Sequence, residues 1–214
     1  VVAKTVPAQT RLVEALQARE ITREYEAVAI GTMTAGGTVE EPIARHSTKR
    51  THMAVHPMGK PAVTHYRIME HFRAHTRLRL RLETGRTHQI RVHMAYISHP
   101  LVGDPLYGGR PRPPKGASEA FISTLRGFDR QALHATMLRL YHPISGIQME
   151  WHAPLPQDMV DLINALKQGE YAIYFRGYKA NEGIIEADVR SVNAQQLEIV
   201  SRRIAEVLNK EKNA

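Results

Sequence analysis

The sequence predicts an α+β fold, a mixed, mainly antiparallel sheet with helices packed on it. Three observations carry this. Strand-like runs outnumber helical ones and several are neighbours in the chain, which favours antiparallel pairing. One of them, Thr76 to Glu83, alternates Arg77, Arg79 and Arg81 with Leu78, Leu80 and Leu82, the period-two signature of a strand with one apolar face. Apolar residues at helical spacing recur near the start, the middle and the later part of the chain.

Taken in order, Thr5 to Glu20 reads as a helix capped by Thr5, with Pro7 in its first turn and a stripe of Leu12, Val13 and Leu16. Glu24 to Gly31 is a mostly apolar strand ended by Gly31, and Thr38 to Ile43 is a second strand after the Gly36-Gly37 turn. Arg45 to Pro61 is polar, basic and broken by Pro57, Gly59 and Pro61, so it reads as loop. Val63 to Phe72 and Thr76 to Glu83 are strands. Gly85 ends the second, and Thr87 to Ser98 has helical spacing through Ile90, Met94 and Ile97. Gly108 to Ala117 is a surface loop. A short helix near Ala120 to Arg126 precedes two strands, Gln131 to Tyr141 and Ile147 to His152, joined by a His142-to-Gly146 turn. Pro156 to Lys167 is a closing helix. Residues 168–214 read as a hairpin followed by an amphipathic helix, with Leu197, Val200, Ile204 and Val207 on one face.

Composition narrows the function. The 214 residues include no cysteine, which removes thiol nucleophiles, cysteine metal sites and disulfide frameworks. An apolar share of 43% and a charged share of 23% are those of a soluble globular protein. No apolar run is long enough to span a membrane, and the first residues lack the features of a signal peptide, so a cytoplasmic protein is expected. The formal net charge is +8. Between Ile43 and His93, eleven Lys and Arg face two acids, Glu70 and Glu83, so the positive charge is confined to this stretch. Eight of the twelve histidines lie there too. Such confinement favours a surface that tracks phosphates.

The sharpest local feature is the junction Leu82 to Met94. A glycine turn opening a helix presents free backbone N–H groups, with Arg86 and Arg91 adding charge and Thr87, His88 and Gln89 adding hydrogen-bonding groups. Arg91 falls at the edge of the apolar stripe, where a semi-buried guanidinium takes a carboxylate or phosphate partner. The alternative is a helix capped by Thr87 with solvated arginines. Tyr25 either packs a core edge or stacks on an extruded base. No metal site is expected: His88 and His93 are five residues apart, and His52 and His56 have no acidic neighbour. Asp104, before Pro105, reads as a structural turn residue.

Five segments then carry a resemblance: Arg23-Glu24-Tyr25-Glu26-Ala27, Gly85 to Met94, His99 to Gly109, Leu133-His134-Ala135 and Trp151 to Pro156. In this order they resemble the catalytic domain of the RluA-like family of ribosomal large-subunit RNA pseudouridine synthases, over about Val1 to Leu166. The resemblance implies a central RNA-binding cleft and isomerisation of uridine to pseudouridine in large-subunit ribosomal RNA, with no cofactor. It makes residues 1–167 a partial catalytic domain and leaves 168–214 unassigned. It also implies that Tyr25 packs on the uracil, that Arg91 pairs with a catalytic aspartate, and that Arg86, Thr87, His88 and Gln89 shape the substrate cleft. The family aspartate sits in an Arg-Leu-Asp motif shortly before an Ala-Lys-Thr segment. Here Ala3-Lys4-Thr5 nearly opens the chain and the motif is absent, so the chain as written is expected not to catalyse. The alternatives are a non-catalytic RNA-binding module, or an interaction protein acting through its C-terminal helix.

Overall fold

The computed structural model describes residues 1–109, 113, 117, 119–169, 198, 201 and 202. The chain forms two compact units, Val1–Tyr171 and Ala172–Ala214. Most of the expected hairpin-plus-helix at 168–214, and much of the Gly108 to Ala117 loop, lie outside the described residues; Glu198, Ser201 and Arg202 are helical.

The first unit is built on a sheet of β1 (Thr22–Ile30), β2 (Gly37–Glu40), β5 (Val63–His71), β6 (His75–Leu82), β7 (Leu133–Tyr141) and β8 (Gln148–His152). Its strand order is β2-β5-β6-β1-β7-β8, and every described pairing is antiparallel. Four described helices accompany it: α1 (Val6–Gln17), α2 (Gln89–Tyr96), α3 (Glu119–Gly127) and α4 (Gln157–Gly169). The α+β expectation therefore holds. One local reading is corrected. The 45–61 stretch is not plain loop: β3 (Ile43–Arg45) and β4 (Met53–Val55) pair as a separate two-stranded ribbon.

Alternation within β1 and β6 separates two cores. Ala27, Ala29, Leu78, Leu80 and Leu82 face α2, meeting Ile90 and Met94. Val28 faces the other way, onto Phe121 and Leu125 of α3 and Met159, Leu162 and Leu166 of α4. Ala27, Val28 and Ala29 are consequently 0% exposed, buried from both faces as a central strand should be. The opposite half of β1, Thr22 to Tyr25, is only half-buried. α1 is capped by the Thr5 side chain as expected but buries none of its residues, and Val13 and Leu16 stay exposed. The stripe is therefore present without the burial it foretold.

The register bears out the shared face of the alternating arginines and shows what they meet. Arg77, Arg79 and Arg81 lie on the sheet face opposite α2, where Glu26 accepts from Arg77 Nε at 3.1 Å, Arg77 Nη2 at 2.7 Å and Arg79 Nη2 at 3.1 Å. Glu24 stands across from Arg81 in register. Much of this charge is balanced within the sheet and is not a bare row for phosphates.

Candidate functional site

The β6-to-α2 junction is braced from inside. Gln89, 2% exposed, accepts at Oε1 from the Thr84 hydroxyl (2.8 Å) and the Arg86 N–H (2.9 Å). Its Nε2 donates to the Val63 carbonyl (2.9 Å) and the Thr64 hydroxyl (3.0 Å). All four amide positions are engaged by the protein. Gln89, expected to help shape the substrate cleft, braces the turn from inside. Arg86 donates from Nε to the Pro61 carbonyl at 3.0 Å. Thr87 is exposed. It is not the cap: His88 takes that position in the left-handed region (φ 56°), which only a few per cent of non-glycine residues occupy.

His88 and Arg91 converge on Tyr107. The Tyr107 hydroxyl accepts from the Met53 N–H at 2.8 Å and lies 3.0 Å from His88 Nδ1, where the tautomer of the ring sets which of the two donates. Burial, then the charge of Arg91, hold His88 below the usual histidine range and favour the neutral ring. The Arg91 guanidinium lies over the Tyr107 ring, 5.0 Å from its centroid. Arg91 Nε and Nη2 bind Asp104 at 2.8 and 2.7 Å in a bidentate fork. Asp104 is 2% exposed, and its Oδ1 also accepts from the Leu106 and Tyr107 N–H groups. Burial pushes the Asp104 carboxyl up, but Arg91 and the two backbone donors outweigh it and hold it below the usual range. The fork raises Arg91 against its own burial. Asp104, read from sequence as a turn residue, is thus the partner of Arg91, while Arg91 Nη1 makes no hydrogen bond to a described residue.

Tyr25 also lies on the α2 side of the sheet, half-buried against the leucine cluster and opposite Leu80 and Ala135. A register shift between Glu24 and Tyr25 sits at this point of the β1–β7 pairing. Tyr25 lines an apolar cleft of about 440 Å³ with Leu12, Leu16, Ile21 and Arg23. Arg23 also lines a second, more polar cleft with Arg19, Gly85 and Arg86.

Residues 1–96 match the RNA pseudouridylate synthase family. Residues covering 78% of the chain are 89% identical to ribosomal large subunit pseudouridine synthase D of Escherichia coli strain K12. This part of the chain is similar to RNA pseudouridylate synthases. The synthase D proteins of Yersinia pestis and Haemophilus influenzae are 90% and 76% identical over the same 167 residues. The chain spans about half the length of these relatives, 51% for the Escherichia coli protein. Among solved structures, human RNA pseudouridylate synthase domain containing 1 superposes with a TM-score of 0.59 at 25% identity, covering 85% of this chain and 73% of its own. A second human protein, RNA pseudouridylate synthase domain containing 4, shares the fold at TM-score 0.59 and 22% identity, over 76% of this chain and 69% of its own.

Within the matched residues, the sequence singled out Tyr25, Arg86, Thr87, His88, Gln89 and Arg91, read Asp104 as a turn residue, and gave no role to Arg23 or Tyr107. For Arg91 the position at a stripe edge pointed to a carboxylate or phosphate partner, and the structure supplies Asp104. Among the described residues no three potential metal-ligating side chains come together, and no helix is long and apolar enough to cross a membrane.

Proposed function

We propose that the chain carries the uracil-binding part of an enzyme that isomerises uridine to pseudouridine in large-subunit ribosomal RNA, in the cytoplasm where that RNA is assembled. The observation that carries this reading is the 89% identity over 167 residues to a protein of that name. The isomerisation breaks the C1′–N1 bond, forms C1′–C5, releases the C5 proton and protonates N1, so the composition of the nucleotide is unchanged. The target base must leave its stack for this exchange. In this reading Tyr25 packs on the uracil within the apolar cleft. Arg91, held by Asp104 and Tyr107, offers its remaining Nη1 edge to the catalytic carboxylate. Arg86, Thr87 and His88 form the polar wall at the head of α2.

The sequence contains no Arg-Leu-Asp, and on that ground the chain by itself is expected to bind RNA without turning it over. The test is tritium release from 5-tritiated uridine in unmodified ribosomal RNA. The chain alone should give none, whereas a fusion supplying the remainder of the Escherichia coli relative should release tritium and lose that activity on Arg91→Ala. Release by the chain alone would refute the division of labour. An active fusion unaffected by Arg91→Ala would refute the assignment of Arg91.

A further inference from the structure

Arg23 is the half-buried guanidinium that the site described so far leaves unused. Its Nη2 donates to the Glu83 carbonyl at 3.2 Å, and its Nε is buried with no hydrogen-bond partner. No carboxylate pairs with it among the described residues. The neighbouring Glu83 side chain is engaged by Arg19 and His65. Burial accordingly lowers the affinity of Arg23 for its proton, with the Tyr25 hydroxyl acting weakly in the other direction. A buried guanidinium without a counter-charge is costly, and an incoming anion relieves that cost.

Its position says which anion. Arg23 stands two residues before Tyr25 on β1 and lines both clefts: the apolar one that holds Tyr25, and the polar one walled by Arg19, Glu83, Gly85 and Arg86, in which Glu83 is already engaged by Arg19 and His65. Gly85 keeps the entrance open. A Cβ there would lie 2.5 Å from Arg23 Nη1, so any larger residue displaces the guanidinium. An apolar slot with an aromatic ring, next to a polar slot with two further arginines, matches the two halves of a nucleotide.

We propose that Arg23, with Arg86 beside the open Gly85 turn, binds the backbone phosphate of the nucleotide whose base occupies the Tyr25 cleft. This rests on the RNA reading above and adds to it a phosphate subsite with Arg23 as its positioning residue.

The test measures binding of a fluorescent single-stranded 12-mer of uridine by the full chain at several salt concentrations. Removing one cation that neutralises a single-strand phosphate makes the log–log salt slope shallower by about 0.7. Arg23→Gln should weaken binding roughly tenfold, the worth of a charged hydrogen bond, and flatten the slope by that amount. Gly85→Ala alters no charge yet should reproduce the loss of affinity, and the double variant should be no worse than the weaker single. Arg81→Gln, an equal change of charge on the opposite sheet face, should leave binding within twofold. Tyr25→Ala should weaken binding without changing the slope. Melting curves confirm that each variant is folded, and Gly85→Ala decides the matter if Arg23→Gln does not fold. Salt-dependent binding by the parent with Gly85→Ala within twofold of it overturns the subsite and leaves the RNA reading intact. Absence of salt-dependent binding by the parent overturns both.

Discussion

Arg91 and Asp104 are joined by two parallel hydrogen bonds of 2.8 and 2.7 Å in a pocket where the aspartate is 2% exposed. The pair links α2 to the turn that follows it. Removing the carboxylate strands a buried guanidinium, so Asp104→Ala should destabilise the fold by about 3–5 kcal/mol in urea unfolding at neutral pH. The folded-state pKa of Asp104 is lowered, so its contribution is complete above the unfolded value, about 3.9, and fades as pH falls through the lower folded value. The stability gap between the parent and Asp104→Asn should therefore narrow in strong acid. A gap that persists unchanged to pH 2 would show that the charge is not what holds the pair.

A second prediction concerns His93. It is 0% exposed, with Nδ1 2.9 Å from the Thr64 hydroxyl and Nε2 2.9 Å from the Glu41 carbonyl, the pattern of a neutral ring. Burial lowers its pKa, and that of His88. The unfolded chain then binds more protons than the folded one below about pH 6.5, so stability falls as pH drops through that window. The melting temperature should decline between pH 7 and 5, and less steeply in His93→Gln. Equal slopes in the two proteins would exclude His93 as a source.

Gln89 offers a third. Gln89→Leu preserves much of the volume and removes every amide bond, leaving the Arg86 N–H and the Thr84 hydroxyl without their acceptor and the Val63 carbonyl with the Glu83 N–H alone. A loss of about 3 kcal/mol is expected from unsatisfied buried polar groups. Equilibrium unfolding in urea measures it, and a cost under about 0.5 kcal/mol would mean that the brace is dispensable.

The fourth separates the two faces of the sheet. Glu26→Gln withdraws the carboxylate shared by Arg77 and Arg79 and should destabilise the protein by about 2 kcal/mol, while RNA affinity stays within twofold. A large gain in RNA affinity would show that the face opposite α2 binds RNA after all.

Legibility in the sequence followed periodicity. The run of Arg77 to Leu82 identified a strand without help, and Thr5 with Pro7 located the start of α1. β3 and β4 escaped because three residues each, Ile43–Arg45 and Met53–Val55, are too short for a period to show. The direction of the arginine face was unreadable for another reason. Alternation says that three guanidiniums share a face, but only the register with β1, which sets Glu26 opposite Arg79, says what they meet. The partner of Arg91 was hidden similarly. Thirteen residues and a turn separate it from Asp104, and no local pattern announces a contact of that kind.

One phenol fixes more than its size suggests. The Tyr107 hydroxyl receives the backbone of Met53 on the β3–β4 ribbon and meets the imidazole of His88, while its ring underlies Arg91. Arg45, Lys49 and Arg50 stand exposed on that same ribbon and the turn at its tip. Any displacement of that ribbon would reach, through Met53 and the Tyr107 hydroxyl, the ring on which Arg91 lies. The ribbon, the head of α2 and Arg91 thus share one point of attachment, a single side chain.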